Sequence, residues 1–217
     1  MDLYQNFLND FNDAIAEANR DSNEINLIAV SKKKPSNVIR KVIDLGHQSY
    51  GENQIQEVEN KWIDLKNDFP LLKLHFIGGI QSRKAKSIYK YCDVIHSLDR
   101  IKIAKLFNEL EANNGVSKEY FIQVNTGNEL QKSGVMLSDA DEFISSCIEN
   151  YNLNVVGLMC IPPLNENPEK HFLNLAETAK NFHLSSLSMG MSNDFKIAIK
   201  CGATHIRIGT KIFGERN

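Results

Sequence analysis

Proline is scarce, with 5 in 217 residues, and the 12 glycines are dispersed. No stretch rich in Pro, Gly or Ser divides the chain, and no low-complexity tract interrupts it. One domain over residues 1–217 is therefore expected, of a length that a single core can serve. Cysteine is equally sparse. Cys92, Cys147, Cys160 and Cys201 stand far apart with no C-x-x-C pair, which argues against a zinc site or a disulfide framework and for four buried or half-buried free thiols in a cytoplasmic protein. An excess of charge of one sign is also missing. The net charge of −2 gives no footprint for nucleic acid or an anionic membrane as partner. No apolar run approaches the roughly 20 residues of a membrane span, and the opening MDLYQNFLNDFNDAIAEANRD lacks the basic start of a signal peptide. The six histidines form no H-E-x-x-H pattern, so no metal is expected. Neither a G-x-S-x-G elbow nor a G-x-x-x-x-G-K-[ST] loop is present.

What is present is alternation. Short β-rich runs fall at Ile25–Ser31, His47–Gly51, Lys73–Gly78, Asp93–Leu98, Tyr120–Asn125, Val155–Ile161, Ser185–Met189 and His205–Ile208. Helical periodicity fills the gaps at Pro35–Leu45, Gln54–Leu65, Ser82–Tyr91, Ile101–Ala112, Ser138–Glu149, Pro168–Phe182 and Asn193–Lys200. Gly46 and Gly202 stand where C-terminal caps belong, and Ser138 and Ser192 stand where N-caps belong. An amphipathic stretch carrying Leu3, Phe7, Phe11 and Ile15 precedes the first strand and suits docking on the body of the fold or on a partner. Eight strands separated by helices predict an α/β fold: a single (β/α)₈ TIM barrel with an extra N-terminal helix. A doubly wound open sheet is the alternative, because counting strands does not prove closure.

In a barrel, function gathers at the C-terminal ends of the strands. The first strand leads to Lys32, on the same side as Ile28 and Val30 by alternation. A lysine at a barrel mouth is partly desolvated and suits attack on a carbonyl, although Lys32, Lys33 and Lys34 also read as a solvated basic loop. The last strand carries Arg207 among apolar residues, followed by Gly209 and Thr210. That pattern fits an anion site or, equally, an arginine paired with a buried carboxylate. Leu187-Ser-Met-Gly-Met-Ser192 adds backbone amides and hydroxyls from the neighbouring strand, so the two segments form a candidate phosphate cup. Gly51-Glu-Asn53 and Gly78-Gly-Ile-Gln-Ser82 read as polar turns. His75 reads as a satisfied core histidine. A Schiff-base aldolase acting on a sugar phosphate would share the lysine and the cup.

Ordered stretches over nearly the whole chain narrow this further. Ala29-Val-Ser-Lys-Lys-Lys-Pro35, Gly51-Glu-Asn53, His75-Phe-Ile-Gly78 with Gln81-Ser82, Lys132-Ser-Gly134, Gly157-Leu-Met159, Leu187-Ser-Met-Gly-Met-Ser192, Arg207-Ile-Gly-Thr210 and Ile212-Phe-Gly214 occur in that order. The set resembles the pyridoxal phosphate homeostasis proteins (the YggS/PROSC group), which are themselves similar to the barrel domain of bacterial alanine racemase. The resemblance implies pyridoxal 5'-phosphate (PLP) as cofactor, held as a Schiff base on Lys32. It implies that Ser192, Gly209 and Thr210 hold the phosphate, that Arg207 faces the pyridine nitrogen and that Asn53 lies near the ring, with Ser188 and Gly190 in the same cofactor set. Gly79 departs from the family, which often has proline there.

The resemblance implies a keeper of PLP in vitamin B6 and amino-acid homeostasis, with PLP-dependent client enzymes as partners. A PLP-dependent amino-acid racemase of weak activity is the alternative. An arginine at the ring nitrogen weakens the cofactor as an electron sink, and racemisation needs acid–base groups on both faces of the substrate carbon. The racemases draw the second group from a further domain that this chain, ending at Asn217, is not expected to have; Tyr50 or His75 would have to replace it. A monomer without catalytic residues is the expectation.

Overall fold

Within the computed structural model, residues 2–215 are described, so Met1, Arg216 and Asn217, the extremes of the expected domain, lie outside them. Eight parallel strands alternate with helices: β1 (Asn26–Val30), β2 (Ser49–Glu52), β3 (Lys73–Phe76), β4 (Val94–Leu98), β5 (Glu119–Asn125), β6 (Val155–Met159), β7 (Ser186–Ser188) and β8 (His205–Ile208). Each pairs with its sequence neighbour, β1 pairs with β8, and the β4–β5 ladder joins the two halves. The sheet is therefore a closed barrel, and the open-sheet alternative falls. A two-residue strand, Val135–Met136, adds to β5 outside the barrel.

The helices are α1 (Asp2–Glu17), α2 (Ser36–Ile43), α3 (residues 55–68, with a π-helical turn at Val58–Trp62), α4 (Ala85–Tyr91), α5 (Ile101–Asn114), α6 (Ala140–Ser145, continued by a π-helical turn at Ser146–Asn150), α7 (Pro168–Asn181), α8 (Phe195–Lys200) and α9 (Thr210–Phe213). Local chemistry accounts for many ends. Asn167 accepts the Glu169 N–H ahead of Pro168 at the start of α7. Gly46 (φ +91°) donates to the Ile43 carbonyl after α2, as the sequence predicts.

Two predicted N-caps are not caps. Ser138 bonds the Asp139 carboxylate within a 3₁₀ turn that precedes α6. Ser192 precedes α8 by three residues, because the Asp194 carboxylate accepts the Met191 N–H (2.6 Å) and turns the chain once before the helix starts. Glu52 belongs to β2, which runs one residue past the expected Gly51, rather than to the turn after it.

The main apolar core lies between sheet and helices, where Tyr50, Leu74, Ile95, Ile122, Leu158 and Ile206 meet the inner helix faces. Burying each such side chain contributes about 1.5–3 kcal/mol. Helix α1 docks on the barrel: Phe7 and Phe11 lie 5.4 and 6.3 Å from the Phe195 ring, while Leu3 is exposed. Lys196 and Lys211 both pair with Asp10. All four cysteines are free; three are buried and Cys201 is half-buried. Among the described residues no helix is long and apolar enough to cross a membrane.

Gly157 on β6 lies against the Ser186 backbone, where an added Cβ would overlap the carbonyl oxygen. Gly157→Ala is expected to cost about 1–3 kcal/mol, read as a lower urea midpoint at unchanged m-value. A wild-type midpoint would mean that β6 and β7 are free to separate locally.

Candidate functional site

The barrel interior is polar to an unusual degree. Ser49 Oγ bonds His75 Nε2 (2.9 Å), His75 Nδ1 bonds His96 Nε2 (2.9 Å), and His96 Nδ1 bonds Ser188 Oγ (2.8 Å). Arg207 Nη1 donates to the same Ser188 Oγ at 2.7 Å, and Nη2 donates to the Cys160 carbonyl at 3.0 Å. Strands β4 and β7 are not sheet neighbours, so the His96–Ser188 bond crosses the lumen. Around this chain pack Val94, Phe121 and Met159, and His96 stacks on Phe121 with centroids 4.2 Å apart.

Burial holds His75 and His96 well below the ordinary imidazole range; His205 and Lys73 push the same way on both, and Arg207 does so on His96. His205 is pushed down to about 4 by burial, Lys73 and Arg207. Burial also lowers Arg207, but a guanidinium remains charged. Arg207 is 4% exposed, and among the described residues no carboxylate pairs with it; its acceptors are a hydroxyl and a carbonyl. The structural reading of this arginine as half of a buried ion pair is thereby set aside.

Lys32 stands at the same end of the barrel, half-buried in the turn that follows β1 by one residue. Strand β1 runs between β2 and β8, with Ala29 opposite both Tyr50 and Ile208. Asn53, half-buried, follows β2, and its backbone lies so close to Gly78 that a Cβ there would clash. Gly209 follows β8, and a Cβ on it would lie 3.2 Å from the Val30 carbonyl oxygen. Ser192 Oγ and Thr210 Oγ1 are 3.1 Å apart, and Thr210 opens α9. Gly190 (φ +92°) accepts the Arg207 N–H through its carbonyl, and a Cβ on it would meet Ala198 at 2.5 Å.

Thus the structure brings Ser188 to Arg207, Ser192 to Thr210 and Gly190 to the Arg207 backbone. The Ser188 hydroxyl is fully buried and turned to Arg207 and His96. Clefts of about 460 Å³ and about 300 Å³ open at the same end. The larger includes Pro163, Leu164, Met191, Ser192 and Thr210; the smaller includes Gly79, Gln123, Asn125, Lys132 and Ser133. Gly79 is exposed and has no positive φ. Gln81 accepts the Arg83 Nε–H beside it.

His96 was not picked out from the sequence; its place two residues after Val94, on the same face of the strand by alternation, is the signal that marks it. The residues fit a phosphorylated aromatic aldehyde. A buried cation whose acceptors among the described residues are neutral suits a ring nitrogen, a hydroxyl pair with adjacent backbone amides suits a phosphate, and a primary amine, Lys32, stands in the turn after β1, the strand next to β8.

The model of the alanine racemase N-terminal domain family matches residues 10–217. A protein of Aquifex aeolicus named pyridoxal phosphate homeostasis protein is 41% identical over 212 residues, covering 94% of this chain and 92% of that one. The structure of PipY from Synechococcus elongatus with PLP bound superposes with a TM-score of 0.80 at 30% identity, over 93% of this chain and 99% of that one. Alanine racemase of Clostridium difficile shares the fold at 11% identity and a TM-score of 0.73, over 94% of this chain and 55% of that one.

The three interior histidines give a pH prediction. In the unfolded chain they take up protons as pH falls through about 6.5, while in the barrel they stay neutral. The unfolded state then binds more protons, so stability falls with pH by up to ~1.4 kcal/mol per unit per histidine. The urea midpoint is expected to drop between pH 7 and pH 5, and His205→Asn to flatten that slope by about one histidine's share. A midpoint that holds constant from pH 7 to 5 would assign all three ordinary basicity.

Proposed function

The chain belongs to the pyridoxal phosphate homeostasis proteins of the alanine racemase N-terminal domain family, and from that premise we propose that it holds PLP as a Schiff base on Lys32. Its role is intracellular vitamin B6 and amino-acid homeostasis, without a dedicated reaction of its own. The observation that carries this reading is Arg207, a buried guanidinium whose acceptors among the described residues are Ser188 and a backbone carbonyl, at the barrel end where Lys32 stands.

PLP supplies an aldehyde that a lysine amine captures reversibly. In this reading Lys32 is the capturing amine and Arg207 faces the ring nitrogen, held there by Ser188. Gly190 keeps the backbone close beneath Arg207. The Ser192 and Thr210 hydroxyls, with the backbone at Gly209, bind the phosphate, and Asn53 lies beside the ring. Thr210 is exposed and Ser192 half-buried, which suits exchange of cofactor with solution or with PLP-dependent client enzymes. We assign one domain, a monomer and the cytoplasm to the chain on the same grounds of composition and family.

The racemase alternative loses its two substitute bases. His75 has both ring nitrogens bonded, to Ser49 and His96. Tyr50 is fully buried and packs on Trp62, at 5.0 Å between rings, on the helix side of the sheet. The Aquifex relative is likewise named for homeostasis rather than for a reaction.

Purified protein is expected to absorb in the visible when given PLP, and borohydride reduction followed by peptide mapping is expected to place the adduct on Lys32. Lys32→Ala should lose the adduct and keep the far-UV spectrum. Arg207→Ala should weaken retention roughly 10–100-fold, the worth of a hydrogen bond to a charged group. A chain that takes up no PLP, or an adduct that maps to Lys33 or Lys34, would sink the assignment.

A further inference from the structure

Glu52 is fully buried, yet it faces the helices rather than the barrel mouth, beside β1 and α3. Its Oε1 accepts from Ser31 Oγ (2.7 Å), Lys61 Nζ (2.7 Å) and Trp62 Nε1 (3.1 Å). Lys61 and Trp62 both come from the π-helical turn of α3, a distortion often found near functional sites. Lys61 does more than neutralise Glu52. Its ammonium also donates to the Ser31 carbonyl (3.1 Å) and the Lys34 carbonyl (3.3 Å), the two ends of the turn that contains Lys32. Glu57 completes the set, accepting from Lys61 Nζ (2.7 Å) and from the Lys33 backbone N–H (2.6 Å). Lys33 is itself in the left-handed region, at φ +60°, a conformation a non-glycine residue keeps only where its surroundings impose it.

We propose that Glu52 and Lys61 are positioning residues that clamp the 31–34 turn and so set where the Lys32 amine stands. Three of the four turn residues are fixed by this cluster, through Ser31, Lys33 and Lys34. A buried ion pair is a poor device for stability alone, since apolar residues of similar volume serve as well or better. Its use here lies in direction: one ammonium holds two carbonyls at defined places, which no apolar side chain does. Burial pushes the Glu52 carboxyl up, and Lys61, Ser31 and Trp62 oppose that shift. The inference rests on Lys32 as the PLP-capturing amine, because it says how that amine is placed.

Lys61→Met alone strands a buried carboxylate and is expected to lower the unfolding midpoint by roughly 10 °C, a structural effect that decides nothing about placement. The deciding variant is therefore Glu52→Gln/Lys61→Met, which removes both charges together. Full-length, cofactor-free protein would be compared with wild type by amide hydrogen exchange at Lys33 and Lys34, by unfolding midpoint, and by the rate at which added PLP becomes borohydride-trapped on Lys32. The double variant is expected to recover most of the midpoint while exchange at those amides rises and capture slows, each about 10-fold or more, as expected when a reacting group is misplaced. Glu57→Ala, on the half-exposed rim, keeps the buried pair and is expected to raise exchange at Lys33 and slow capture about threefold by the same misplacement. Wild-type exchange and capture in either variant would overturn the clamp. If the wild-type chain itself traps no PLP on Lys32, the functional reading falls, and exchange at Lys33 and Lys34 alone then decides whether the cluster holds the turn.

Discussion

A guanidinium inside a barrel, with no carboxylate paired to it among the described residues, is the constraint that orders the rest of this molecule. Desolvating a charge costs several kcal/mol unless hydrogen bonds replace its water, and Arg207 has a hydroxyl and a carbonyl to do so. The polarity of the chain below it follows. Ser188 is fully buried and already accepts from Arg207, so its own proton needs an acceptor, and His96 Nδ1 is the partner in reach. His96 must then carry its proton on Nε2 and give it to His75 Nδ1, which leaves His75 Nε2–H to donate to Ser49. The opposite polarity would leave the Ser188 proton without a partner. Both imidazoles are thus neutral and each in one tautomer, which agrees with the fall in basicity that burial imposes on them.

This arrangement divides the barrel between two tasks. Apolar side chains on the outer face of the sheet, with the helices, supply most of the burial that holds the fold. The lumen is given over to a hydrogen-bonded series whose upper end presents one positive charge. Neutral histidines below it add no charge of their own, so Arg207 is the charged member of that series. Residues that stand around the mouth (the Lys32 turn, Gly209, the Ser192–Thr210 pair) come from β1, β7 and β8, three strands adjacent in the closed sheet. Closure is what makes them neighbours, because β1 and β8 are the two ends of the barrel sequence.

The pattern of strands and helices was legible because each strand is a short β-rich run and several ends are marked by glycine or proline. The observed strands fall within about two residues of the runs read from the sequence. Position at the strand ends likewise marked Lys32, Arg207 and the Ser192 and Thr210 segments. What was not legible depends on partners distant in the chain. Arg207 could not be told from half of an ion pair, since its acceptors come from residues 160 and 188. His96 finds its meaning in Ser188, 92 residues away. Ser192 looks like a cap until Asp194 is seen to turn the chain, and the Val135–Met136 strand is too short to carry a period at all.

Glu52 shows the same limit most sharply, and it also shows what the fold adds to a reactive lysine. In the sequence it sits in a Gly-Glu-Asn triplet that reads as ordinary turn chemistry. In the structure its place in β2 sends its carboxylate outward under the end of β1, where an apolar residue would satisfy the core. The carboxylate is tolerated there because Lys61 reaches it from the π-helical turn, and with Glu52 and Glu57 taking two of its three N–H groups the third is shared by the Ser31 and Lys34 carbonyls of the 31–34 turn. Rigidity at Lys32 is thereby drawn from outside the barrel, and charge at the mouth from inside it. The two networks share no residue, yet β2 carries one member of each, Ser49 turned into the lumen and Glu52 turned out under the Lys32 turn.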